Sequence, residues 1–216
     1  MPNYINGAVT NSGASTVTTL NLTYSPAPGN FVVLGVHAGG GITAITCVDN
    51  LGNSYASPAS ASAQKLFTGV AAVGVTGYTI SWTTLRIASA FVGEYSLFTG
   101  IGTTNQSASA TSTNPTITVT PQQLNSAIIA TIGESVGNLA VTQLTGNIRL
   151  NAQNGVGNAN GMQLVDNISS SFSVTVAVTA ASSTWGILAF ELLPGGPLFS
   201  GSAITADFHW GGGDGL

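Results

Sequence analysis

Charge is what this sequence has least of. Its 216 residues include three basic side chains (Lys65, Arg86 and Arg149) and seven acids, and charged residues are 5% of the chain, against roughly 25% in an ordinary globular protein. A nucleic-acid surface needs a basic stripe to neutralise phosphates, so nucleic acid is not an expected partner. Docking on an anionic membrane through basic residues is not expected on the same ground. Long apolar runs are also missing. Segments such as FVVLGV (31–36) cover about six residues, where a spanning helix needs about 20, so no membrane insertion is expected.

Cysteine occurs once, at Cys47, which rules out an intramolecular disulfide. In ITAITCVDN it alternates with apolar neighbours, the pattern of a buried structural thiol rather than a nucleophile. The first residues, MPNYINGAVTNSG, lack the basic start, apolar core and cleavage pattern of a secretory signal, and none is expected. Long stretches of helix formers are absent as well.

What the sequence has is β-branched and small polar residues with a period of two. Leu20, Leu22 and Tyr24 share one face of TLNLTY; Tyr78, Ile80 and Trp82 share one face of GYTISW. Ile117 and Val119 alternate in NPTITVT, and Phe172, Val174, Val176 and Val178 alternate in SFSVTVAV. More continuous apolar strands, NFVVLGV, RIASAFVGEYSLF, SAIIATIG and WGILAFELL, read as central or buried on both faces. Turn sequences such as SPAPGN and DNLGN separate them.

An internal repeat organises these strands. LTYSPAPGNFVVLGV (22–36) parallels ITVTPQQLNSAIIAT (117–131), and residues 63–96 parallel residues 161–193, with Asn30 facing Asn125 and Glu94 facing Glu191 at an offset of about 95 residues. The expected fold is all-β: a jelly-roll-like antiparallel β-sandwich of about eight main strands in two quasi-repeated, interleaved halves. No linker-like stretch divides the halves, which argues against two separate domains. The expected organisation is an N-terminal arm (1–14), the sandwich (15–193) and a Gly-rich apolar C-terminal tail (194–216).

VDNLGNSY (48–55) and VGEYS (92–96) carry a resemblance. Val48, Asp49, Gly52, Asn53 and Tyr55 match a V-x-D-x-x-G-N-x-Y turn, Tyr78, Thr79, Ile80 and Trp82 match a middle strand, and Glu94, Tyr95 and Ser96 match an E-Y-S strand. The set resembles a family of β-sandwich domains found in phage virion or tail proteins and in bacterial extracellular proteins. EYSLFTG departs from the EYSG usual there. The resemblance implies a structural and adhesive module without an agreed catalytic site.

Candidate sites follow from side-chain chemistry. Asp49, Gly52, Asn53 and Tyr55 read as a structural turn: Gly52 supplies positive φ while Asp49 and Asn53 bond nearby amides. One local carboxylate is too few for calcium. His37, Cys47 and Asp49 match no zinc spacing. Glu94, Glu134 and Glu191 could be drawn as glycosidase carboxylates, but Glu94 and Glu191 hold equivalent repeat positions, which points to a shared structural role. No nucleophile elbow, P-loop or dinucleotide fingerprint occurs. No catalytic residue, metal or cofactor is therefore expected. Trp82 and Trp185 read as core rather than sugar-stacking groups. The tail differs: Leu198, Phe199, Ile204, Phe208 and Trp210 are apolar groups among glycines, the pattern of a docking segment.

Together with the resemblance, these features imply a non-enzymatic virion component made in the host cytoplasm, a capsid decoration (cement) or tail-associated protein. Its expected partners are further copies of itself and other virion proteins, with a host-surface glycan as a possible addition. A secreted, extracellular carbohydrate-binding or adhesive module is the alternative.

Overall fold

The computed structural model describes residues 1–39, 42–61, 63–134, 142–153, 161–179 and 183–195. Among them are sixteen strands and no helix. The chain is an all-β protein of packed antiparallel sheets, as its periodicity implies, with twice the expected strand number.

The first half runs β1 (Asn3–Asn11), β2 (Val17–Thr23), β3 (Phe31–Ala38), β4 (Thr46–Asp49), β5 (Ala56–Ala61), β6 (Gln64–Val70), β7 (Gly77–Arg86) and β8 (Ala88–Ser96). The second runs β9 (Phe98–Ser112), β10 (Thr116–Val119), β11 (Ala127–Glu134), β12 (Thr142–Thr145), β13 (Asn147–Ala152), β14 (Gly161–Ile168), β15 (Val174–Thr179) and β16 (Ser183–Pro194). Each half makes its own pair of sheets. The five-stranded orders are β1-β8-β3-β6-β5 and β9-β16-β11-β14-β13, and the three-stranded orders are β2-β7-β4 and β10-β15-β12. The halves thus share one jelly-roll-like topology and do not interleave: no strand hydrogen-bonds across the halves in these sheets. Residues 1–14, expected as an arm, supply edge strand β1, which pairs with β8 from Asn3↔Ser96 to Asn11↔Ser89.

Burial explains this layering. The three-stranded sheets alternate, as in β7, where Tyr78, Ile80 and Trp82 are buried and the residues between them are not. They cover one face of each half. Their outer faces carry hydroxyl and amide pairs in place of charges: Thr118 with Thr175 at 2.9 Å, Asn21 with Thr79 at 3.0 Å and Thr19 with Ser81 at 3.3 Å. Phe172 departs from its expected face: it precedes β15 and is exposed.

In the five-stranded sheets the central strands β3 and β11 are buried at every position. One face of each closes its own half. Val32, Leu34 and Val36 meet Ile80 and Trp82; Ile128, Ala130 and Ile132 meet Val174, Val176 and Val178. The other faces pack on each other, joining Phe31, Val33, Leu66, Phe91 and Tyr95 to Ile129, Met162, Leu164, Leu188, Phe190 and Leu192. The result is four layers of three, five, five and three strands.

Most contacts across this seam come in exchanged pairs, those of β14 with β8 and β3 apart. β1 lies on β13 while β5 lies on β9; β8 lies on β13 while β5 lies on β16; β3 meets its own counterpart β11. That is the geometry of an isologous two-fold dimer, built here within one chain. At roughly 1.5–3 kcal/mol for each fully buried large side chain, the seam residues Phe91, Tyr95, Ile129, Met162, Leu164 and Phe190 contribute a gross stabilisation comparable with the whole net stability of a domain, about 5–15 kcal/mol.

The seam is tight beside the pseudo-axis. A Cβ on Gly133 would lie 2.5 Å from His37 Cδ2 and 2.6 Å from Gln64 Oε1. Gly133→Val is therefore expected to destabilise the protein by about 1–3 kcal/mol, by overpacking rather than lost propensity. Urea denaturation measures this, and a control substitution at the exposed Val73, Val73→Ala, should change little.

Candidate functional site

The buried acids define what the fold can do chemically. Asp49 ends β4 and its carboxylate organises the following turn. Oδ1 accepts from the backbone N–H groups of Leu51 and Asn53, both at 2.9 Å, and Oδ2 accepts from Asn53 Nδ2 at 2.9 Å and from the Tyr55 hydroxyl at 3.1 Å. Gly52 sits at φ +85°, where an L side chain is disfavoured. Burial pushes the Asp49 carboxyl up, but donation from the Asn53 side chain and backbone, Leu51 and Tyr55 outweighs it and holds the group below its ordinary value. The Tyr55 ring stands edge-on to Tyr78 at 5.4 Å and over Gly69. All four residues are thus in one turn, with both carboxylate oxygens engaged.

Glu94 and Glu191 sit at the same place in the two halves, buried at 3% and 0% exposure. Each carboxylate turns toward the loop between the second and third strands of its own half. Glu94 accepts from the Tyr24 hydroxyl, from Ala27 N–H at 3.0 Å and from Asn30 Nδ2. Glu191 accepts from the N–H groups of Gln122 at 2.9 Å and Gln123 at 3.2 Å and from the Ser126 hydroxyl at 2.7 Å. The match shifts the repeat register by one residue. Asn30 corresponds to Ser126, and Gly29 (φ +84°) to Asn125 (φ +65°). The backbone agrees: Gly29 N–H donates to Ala71 and Asn125 N–H to Ser169.

One acid missed in the sequence belongs to a cluster spanning the seam. Asp166 on β14 accepts from Arg149 Nε at 2.9 Å to each oxygen and from the Tyr95 hydroxyl at 3.2 Å. The Arg149 guanidinium lies 5.2 Å from the Tyr4 ring centroid, and Tyr4 meets Tyr95 edge-on at 5.5 Å. Tyr4 and Tyr95 come from the first half, Arg149 and Asp166 from the second. The available signal was Asp166 itself: an acid within a buried strand requires a partner, and the chain has only three cations.

His37, Glu134 and Cys47 are buried outside these hydrogen-bond networks. His37 is buried in the seam against Gly133, with Nδ1 unpartnered among the described residues, and burial pulls its pKa down to about 4. Glu134, at the end of β11 opposite Trp185, is pushed up to about 7 by burial. Cys47 is buried, and desolvation, aided by the Asp49 charge, raises its thiol to about 12, far from a reactive thiolate. Trp82 and Trp185 are both core, and Trp185 Nε1 donates to the Ser112 hydroxyl at 3.0 Å. No group of three or more potential metal ligands occurs among the described residues. Leu198, Phe199, Ile204, Phe208 and Trp210 lie outside the described residues. No family model matches the chain, and no curated protein matches it.

Two predictions follow from the acids. Removing either turn carboxylate takes the shared acceptor from three donors of its turn, most of them part-buried, so Glu94→Ala and Glu191→Ala should each cost about 1–3 kcal/mol in urea denaturation. A lost structural contact would show as a lower midpoint with an unchanged m-value.

The second concerns pH. The unfolded chain holds more protons on His37 than the folded one between pH 6.5 and about 4, so this group makes stability fall as pH drops through that window. Glu134 has the opposite sign: its folded pKa is raised from 4.5 to about 7, so its contribution is present below 4.5 and lost as pH rises toward 7. The two slopes oppose each other over the shared range. Glu134→Gln should therefore uncover the acid-side loss from His37 and stabilise the protein at pH 8, by on the order of 2 kcal/mol, while changing little at pH 4. Unfolding midpoints across pH 4–8 test this.

Proposed function

We propose that this protein is a non-enzymatic structural component of a phage virion, a capsid decoration or tail-associated protein that joins its neighbours through its C-terminal segment. The observation that carries the reading is where the buried acids are used. Asp49, Glu94, Glu191 and Asp166 each hold a turn or the seam. They act as fasteners of a rigid double sandwich, whose outer sheets are faced with hydroxyl and amide pairs. The turn and E-Y-S residues that resemble phage and extracellular sandwich domains are among these fasteners, which suits a shared scaffold.

With β1 inside the first sheet, the C-terminal segment is the one left to act as an arm. Its apolar residues Leu198, Phe199, Ile204, Phe208 and Trp210 supply the docking groups, and other copies of the chain and other virion proteins are the partners. The rival reading, a secreted carbohydrate-binding module, calls for aromatic groups open to a sugar face, and Trp82 and Trp185 are buried.

Mass spectrometry of purified virions should find the chain, and its absence from particles would end the proposal. Light scattering after size exclusion should give an oligomer for the full chain and a smaller species for a chain ending at Gly195. Identical monomers would remove the arm from the account.

A further inference from the structure

A cavity of about 350 Å³ opens where the two halves join. Its walls are the β2–β3 turn at residues 28–30, the link at Leu97, Phe98 and Thr99, and Gly195. Leu97 is held in the left-handed region at φ +57° and leaves its side chain 59% exposed beside the opening. Phe98 packs on Phe31, with ring centroids 5.0 Å apart. Gly195 is pinned to the wall, its N–H donating to the Leu97 carbonyl at 2.7 Å. The chain therefore begins its last 21 residues, Gly196 to Leu216, at the rim of this cavity.

The sequence that follows is informative. Leu198-Phe199-Ser200-Gly201 repeats Leu97-Phe98-Thr99-Gly100, the stretch that opens β9. In the first occurrence the Phe anchors a sheet end against Phe31. In the second, the same Leu–Phe pair stands three and four residues beyond Gly195, a reach of about 10–14 Å of extended chain.

We propose that Leu198 and Phe199 seat in this cavity of their own chain, covering Leu97 and bracing the junction. The distal residues Ile204, Phe208 and Trp210 are then left to meet neighbours. The proposal rests on reading the tail as a docking segment and assigns its proximal part. Tethering favours the same chain over a second copy, because so short a connection gives an effective concentration in the millimolar range, above that of a free chain in dilute solution.

Amide hydrogen exchange on the full chain, on a chain ending at Gly195 and on two double variants tests it. Residues 29–30 and 97–99 should exchange about tenfold more slowly in the full chain than in the truncated one. Leu198→Asp with Phe199→Asp should lose that protection, and Phe208→Asp with Trp210→Asp should keep it. Amides of β3 and β11 report that each variant is folded. Equal exchange at 29–30 and 97–99 in the full and truncated chains would overturn the proposal. Protection that disappears on dilution together with a dimer mass would also overturn it, placing a neighbour's segment in the cavity while leaving assembly through the tail intact. Absence from virions with protection retained would instead defeat the virion reading alone.

Discussion

The structure depends on the packing of two five-stranded sheets against each other. A sheet whose inner face already closes a core normally turns its other face to water. Here both faces of β3 and β11 are apolar, and water is excluded from both. That constraint forces the halves together and sets their pseudo-two-fold relation. It also confines surface chemistry to the two outer three-stranded sheets, the strand edges and the loops. Where the halves differ at the seam, the difference is complementary: His37 and Gln64 on one side meet Gly133 on the other. Two copies of the first half could not pair in the same way, since histidine would face histidine at the axis.

Scarce charge and buried carboxylates belong to one design. With 5% of residues charged, the acids are few, and four of the five buried among the described residues, Asp49, Glu94, Asp166 and Glu191, accept several hydrogen bonds each. A carboxylate offers about four acceptor sites in a small volume, so it can gather the N–H groups of a turn that no strand satisfies. Glu94 and Glu191 do this in parallel with different donors. Tyr24 and Asn30 serve in the first half, where Pro26, the counterpart of Gln122, has no N–H to give, and Ser126 with an extra backbone N–H from Gln122 serves in the second. The acid is retained in both halves while its donors vary, which is how the two turns hold one shape with little sequence in common.

Much of this was legible in the chain. The alternating stretches mark the outer strands, the continuous apolar ones mark strands covered on both faces, and equivalent Glu94 and Glu191 mark a shared structural position. The Asp49 turn could be read because its bonds are local, spanning at most six residues. The register of the repeat slipped by one because Asn30 and Asn125 are chemically alike while their positions are not: one bonds the glutamate and the other holds positive φ. Arg149, Asp166, Tyr95 and Tyr4 were out of reach, since they meet only after both halves have folded and docked.

By itself, then, the sequence determined the all-β class, the places of the alternating and continuous apolar strands, the two-fold repetition and the local turns, because side-chain alternation and short-range hydrogen bonds act between neighbours along the chain. What covers the second apolar face of β3 and β11, how many sheets result and where the first strand belongs were decided by tertiary packing. An apolar face specifies that it must be buried without naming its partner. Only the fit of Gly133 to His37, of Leu164 to Gly93 and of β1 to the open edge of β8 selects one arrangement.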